Sequence, residues 1–172
     1  MSTILITYAH PNYANSRMNQ SILEAIQTQP NITINNLYQK YPDEKLNILE
    51  QQQLLLDHEI IALQFPFYWF SMPSLLKKWI DEVFSYNFAY GPEGYRLANK
   101  ALLVITTTGG SHERYNQVPE YDMQQLLKPL AITASYCKMN YLPPLVLADS
   151  ELTDRELSHQ SQLITNQLIS YL

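Results

Sequence analysis

Short apolar runs alternating with helix-length amphipathic segments predict an α/β fold: a doubly wound, five-stranded parallel sheet in the order 2-1-3-4-5, with helices on both faces. Two observations carry the prediction. Five separated runs of strand length are rich in Ile, Leu and Val, and each gap between them holds a helical pattern, as right-handed crossovers between parallel strands require.

The elements follow in order. Residues 4–8 form a first apolar strand, and residues 16–27 a helix turning Met18, Ile22, Leu23, Ala25 and Ile26 inward. Residues 32–37 alternate imperfectly as a second strand. Pro42 and Asp43 then open a polar, Gln-rich helix running toward Leu56. Residues 59–65 are the third strand. Residues 73–84 are the next helix, with Pro73 in its first turn and Leu75, Leu76, Trp79, Ile80 and Val83 at helical spacing. Residues 101–106 make the fourth strand, and residues 121–135 a helix that must accommodate Pro129. Residues 141–147 form a fifth strand weakened by Pro143 and Pro144, and residues 152–171 a closing helix. No repeat, low-complexity tract or linker divides the chain, so residues 1–172 are expected to be one domain.

Composition narrows the function. The 172 residues are 46% hydrophobic, enough for a sizeable core. A net charge of -5 argues against a general nucleic-acid or membrane-surface binder. The single cysteine, Cys137, excludes an internal disulfide framework and reads as a packed small hydrophobe. His58 reads as a surface or capping residue and His159 as solvated; the four histidines are too dispersed for a metal site. Without a basic start or a long apolar stretch, the chain is expected to be cytoplasmic.

In an open sheet of this order, ligands bind beyond the strand carboxyl ends, in the crevice between the loops after the first and third strands. Those loops begin at His10 and Gln64. The second reads Gln-Phe-Pro-Phe-Tyr-Trp-Phe. Its aromatics cannot all face one core, and Pro66 interrupts a sheet ladder. It suits either a platform for a large planar ring or a hydrophobic plug over the sheet end.

The first loop, residues 9–19, supplies an imidazole, a hydroxyl, amides and a guanidinium around a helix start, from His10, Ser16, Asn19 and Arg17. With only four glycines, the chain has neither a dinucleotide fingerprint nor a Walker loop. An anion here must use side-chain donors and the free N–H groups of the helix, which favour it by roughly 0.3–1 kcal/mol. Alone, the stretch also reads as an ordinary Asn/Ser cap with a solvated Arg17. The aromatic loop across the crevice turns the reading toward a phosphate site. After the fourth strand, Thr107-Thr108-Gly109-Gly110 forms a turn whose glycines let the backbone approach a ligand.

These residues resemble a known family. Gln-Phe-Pro-Phe-Tyr-Trp-Phe-Ser-Met-Pro, then Leu-Lys-Lys-Trp-Ile-Asp-Glu-Val-Phe and Phe-Ala-Tyr-Gly, is similar to the flavodoxin-fold NAD(P)H:quinone oxidoreductases, nearest to the ancillary oxidoreductases of glutathione-gated potassium-efflux systems. The resemblance implies a flavin cofactor, FMN in preference to FAD, with NAD(P)H and a quinone as substrates. His10, Ser16, Arg17 (through its backbone) and Asn19 would form the phosphate loop. Pro66, Phe67, Tyr68, Trp69 and Phe70 would form the ring shelf, and Thr107, Thr108, Gly109, Gly110 and Tyr115 the pyrimidine edge, with Tyr115 also catalytic. The histidine that often follows that tyrosine in the family is absent, because residues 118–122 read Val-Pro-Glu-Tyr-Asp. The resemblance further implies a homodimer, in keeping with the aromatic segment 83–90. The alternative is a regulatory flavoprotein activating a potassium-efflux transporter, peripheral at the inner face of the membrane.

Overall fold

The computed structural model describes residues 2–111, 122–148 and 151–172. Strand β1 (Ile4–Tyr8) is buried along its whole length because both of its faces are covered. It lies between β2 (Ile32–Asn36) and β3 (Ile60–Pro66), and β4 (Ala101–Thr108) pairs β3 on its other side. With β5 (Asn140–Tyr141) beside β4, the order is β2-β1-β3-β4-β5, parallel throughout, as the alternation predicted.

The two sheet faces carry separate cores. Ile4, Ile6, Ala62, Leu103 and Ile105 pack with Ile22 and Ile26 of α1 (Arg17–Ile26). Leu157, Ile164 and Leu168 of the closing helix, Asp154–Ile169, complete that layer. Leu5, Ile61, Leu63, Phe65 and Val104 face the other way. There they meet Leu55 of α3 (Ile48–Leu56) and Leu75, Leu76, Trp79 and Val83 of α4 (Ser74–Val83).

Four boundaries depart from the sequence reading. β2 ends at Asn36, whose side chain caps a short helix, α2 (Leu37–Lys40), so Leu37 is helical. The helix expected from Pro42 begins only at Ile48, because Asn47 accepts from the Glu50 N–H and so caps it there. The helix expected over residues 121–135 is two helices, α5 (Met123–Leu126) and α6 (Lys128–Tyr136), with Pro129 in the first turn of α6 where its missing N–H costs no bond. The fifth strand is split in two. β5 (Asn140–Tyr141) and β6 (Leu145–Ala148) both pair β4, with Pro143 and Pro144 between them. A Thr153–Glu156 capping box starts the closing helix, α7 (Asp154–Ile169).

Segment 83–90 is largely folded back. Val83, Phe84, Phe88 and Ala89 are buried in the core, whereas Tyr86 is exposed. His58 is buried rather than superficial: it bonds the Leu54 carbonyl at the end of α3 and the Thr33 hydroxyl on β2, a capping role. Among the described residues, no helix is long and apolar enough to cross a membrane, and no cluster of His, Cys, Asp or Glu is placed to hold a metal.

Candidate functional site

The carboxyl ends of β1, β3 and β4 open into one cleft. The Ala9 N–H donates to the Gln64 carbonyl and the Phe67 N–H to the Thr107 carbonyl, so the ladder holds the three chain exits side by side. His10, Ser16, Arg17, Met18 and Asn19 line one wall; Pro66, Phe67, Tyr68, Thr107 and Gly109 line the other. The cavity is about 280 Å³ in volume, at the lower edge of the roughly 300–1,000 Å³ of small-molecule sites. The two loops singled out in sequence thus meet across it.

His10 is 9% exposed, and burial pulls its pKa below the ordinary imidazole value. It is therefore neutral at pH 7. Its Nδ1 accepts from the Asn12 N–H at 3.1 Å, so the proton resides on Nε2, a donor not used by that contact. The ring stands edge-on to Tyr68, 6.0 Å between centroids. Ser16 is the cap residue of α1, yet its side chain caps no backbone N–H of the helix. Its Oγ instead accepts from Asn19 Nδ2 at 3.1 Å, and the same nitrogen donates to Thr107 Oγ1 at 2.9 Å. The Arg17 guanidinium reaches away to the Leu152 carbonyl and Asp154, leaving the backbone as its contribution to the loop.

The aromatic loop is strained. Tyr68 and Ser71 exchange backbone hydrogen bonds of 3.1 and 2.9 Å across Trp69 and Phe70, whose φ angles are 47° and 61°. Positive φ at both central residues is the turn that Asn-Gly usually fills, and bulky side chains adopt it at a cost of about 1–3 kcal/mol each. Phe67 is buried beneath the turn, while Trp69 is 93% exposed and Phe70 51%. Neither burial nor local preference explains these two residues in this turn. Trp69 and Phe70 are not among the residues lining the cleft; they stand at the tip of its neighbouring loop.

Other expected site residues distribute as follows. Thr108 is buried and its hydroxyl donates to the Gly110 carbonyl, shaping the turn. A Cβ at Gly109 would meet no atom within 4 Å, so protein packing does not require glycine there. Tyr115 lies outside the described residues. Sequence reasoning missed Met18, taken only as a packing residue, and Gln64, taken only as the start of a loop. It also missed Tyr8, the register partner of Gln64. Burial pushes the Tyr8 phenol up to about 12, and Ser16 beside it offsets this only in part. Polar side chains fully buried at a sheet terminus were the available signal.

The family model described as flavodoxin-like fold matches residues 2–167. The chain belongs to this flavodoxin-like family. General stress protein 14 of Bacillus subtilis (strain 168) is 36% identical over 168 residues, covering 96% of each chain. The solved structure of general stress protein 14 from Treponema denticola, in complex with FMN, is 31% identical, covers 99% of both chains and superposes with a TM-score of 0.94. An NADPH-quinone reductase from P. pentosaceus is 33% identical, with 95% of this chain and 98% of the other covered and a TM-score of 0.83. In flavodoxin-like order, this chain's crevice falls where β1 and β3 diverge to β2 and β4, the switch point of the sheet.

Proposed function

We propose that this flavodoxin-like protein binds FMN in the cleft and transfers two electrons from NAD(P)H to a quinone-like acceptor. One observation carries the proposal: the donors at the start of α1 and the Pro66, Phe67 and Tyr68 side of the loop after β3 face one space. The residues fit the cofactor. The His10 Nε2–H and the Ser16 hydroxyl are directed donors for a phosphate, and the open space at Gly109 admits a ring edge. The FMN in the T. denticola relative and the name of the P. pentosaceus one support the same reading.

Bound FMN supplies the hydride acceptor. NAD(P)H gives up a hydride and becomes NAD(P)+; the quinone gains that hydride and one proton and becomes hydroquinone. The chain anchors the phosphate with His10 and Ser16 and braces that loop with Asn19. Pro66, Phe67 and Tyr68 would hold the ring. Tyr115 would polarise the acceptor. Both substrates use the same opening, so they are expected to compete in a substituted-enzyme mechanism. Initial rates at varied quinone should give parallel double-reciprocal lines, with excess quinone inhibiting against NAD(P)H. Intersecting lines, or no turnover with any quinone by an FMN-loaded protein, would reject this.

Aromatic residues exposed together favour a protein partner. Tyr90 links Tyr86 and Tyr136 at centroid distances of 5.7 and 5.6 Å, and both outer rings are exposed. We propose a homodimer through this face; light scattering at micromolar concentration should return twice the 20.0 kDa chain mass, and a monomer would refute it. The same exposed rings favour, as a second reading, docking on a potassium-efflux transporter. Potassium flux that is unchanged by the protein would exclude it.

A further inference from the structure

Gln64 stands at the carboxyl end of β3, fully buried, and does not line the cleft. Its Nε2 donates to the Asn19 backbone carbonyl at 3.1 Å and lies 3.4 Å from Asn19 Oδ1. A backbone carbonyl can only accept, so the end of Gln64 facing α1 has to be the NH2 group. That group in turn requires an acceptor from the Asn19 side chain, which turns Oδ1 toward Gln64. Asn19 Nδ2 is thereby turned toward Ser16 Oγ and Thr107 Oγ1. Each of those hydroxyls accepts from an amide and keeps its own proton for another acceptor. The flanking threonines differ: Thr106 donates to the Phe65 carbonyl and Thr108 to the Gly110 carbonyl.

The opposite amide orientation would have opposite consequences. Asn19 Oδ1 would take the protons of both hydroxyls, and Ser16 and Thr107 would offer lone pairs to the cleft. The observed orientation has a cost. Gln64 Oε1 is buried without a partner among the described residues, and an orphaned buried acceptor is unfavourable. The relay explains why that cost is borne.

We infer that Gln64 is a positioning residue which, through Asn19, sets the Ser16 and Thr107 hydroxyls as donors toward the cleft and so selects a phosphorylated flavin over an unphosphorylated one. This rests on the FMN reading above and assigns the device behind its specificity. Among the described residues, neither strand partner of Gln64 carries a charge. Tyr8 is its partner on β1, Ile105 its partner on β4, and the Arg17 guanidinium of α1 is held by Asp154. His10 and Tyr68 face the cleft that the relay serves.

The test compares FMN with riboflavin, by quenching of flavin fluorescence, in wild type, Gln64→Met and Gln64→Glu, with circular dichroism reporting the fold. Wild type prefers FMN. Gln64→Met frees the Asn19 amide, and the preference shrinks by about tenfold, mostly through FMN. Gln64→Glu keeps the side-chain length but offers an acceptor, so FMN binding falls further at about pH 8. It recovers relative to wild type toward about pH 6, as the carboxyl gains the proton that lets it donate. Taking the ratio to wild type at each pH cancels the titrations of His10 and of the FMN phosphate.

An unchanged preference in a folded Gln64→Met protein overturns the inference and leaves FMN binding intact. If Gln64→Met fails to fold, a Gln64→Glu ratio flat with pH overturns it. A wild type that binds neither flavin overturns the inference together with the cofactor reading.

Discussion

A protein carrying both His10→Ala and Ser16→Ala is expected to lose FMN affinity by two orders of magnitude or more while keeping its fold. Each residue offers one hydrogen bond to a charged phosphate, worth roughly 1.5–3 kcal/mol, and each 1.4 kcal/mol is about tenfold in affinity. The fold has little to lose. Ser16 makes no helix-capping bond, and without its oxygen Asn19 Nδ2 still donates to Thr107. His10 contributes one bond to the backbone of an exposed loop. Riboflavin, which has no phosphate, serves as the internal control: its affinity should hardly change. Equal FMN dissociation constants in the variant and wild type would place the phosphate elsewhere.

The second large effect concerns the turn after β3. Replacing Trp69 with Asn and Phe70 with Gly is expected to stabilise the apoprotein while weakening flavin binding. Two bulky residues at positive φ cost about 1–3 kcal/mol each, and Asn-Gly fits that turn without strain. Little burial is lost, since Trp69 is 93% exposed and Phe70 51%. In a domain of this size each 1 kcal/mol moves Tm by roughly 2–4 °C, so a rise of several degrees is predicted. Calorimetry of the apoprotein and flavin titration of the same sample check both halves. A lower Tm would mean that the aromatic rings are part of the fold; unchanged flavin affinity would mean that the strain serves another purpose. The opposed signs are the point: a turn kept strained at a cost to stability is expected where the strain serves a ligand or a partner.

Both experiments address residues whose type, but not whose state, was legible in the chain. His10 and Ser16 stood out as donors near a helix start, and Gln64 to Phe70 as an aromatic loop. That the Arg17 guanidinium turns to Asp154, that Thr108 spends its hydroxyl on Gly110, and that Asn19 joins Ser16 to Thr107 required coordinates. Asn19 and Thr107 are 88 positions apart, and no local pattern encodes a bond across that separation. The boundary differences have the same character. Asn47 as a cap and Pro129 as a first-turn residue are both readable signals, but each competed with an earlier apparent start, at Pro42 and Tyr121.

The sequence by itself determined the order of elements, the parallel sheet and the two loops that approach each other. Those follow from apolar periodicity and crossover handedness, which are local or topological. Tertiary structure alone decided the direction of the hydrogen bonds in the cleft and the strain at Trp69 and Phe70. Direction follows from which backbone carbonyl each amide meets, and strain from the ladder that pins both ends of the turn. The hydrogen-bond directions arise only when separate strands are brought to one edge of the sheet, and the strain only when the backbone bonds between Tyr68 and Ser71 close the turn.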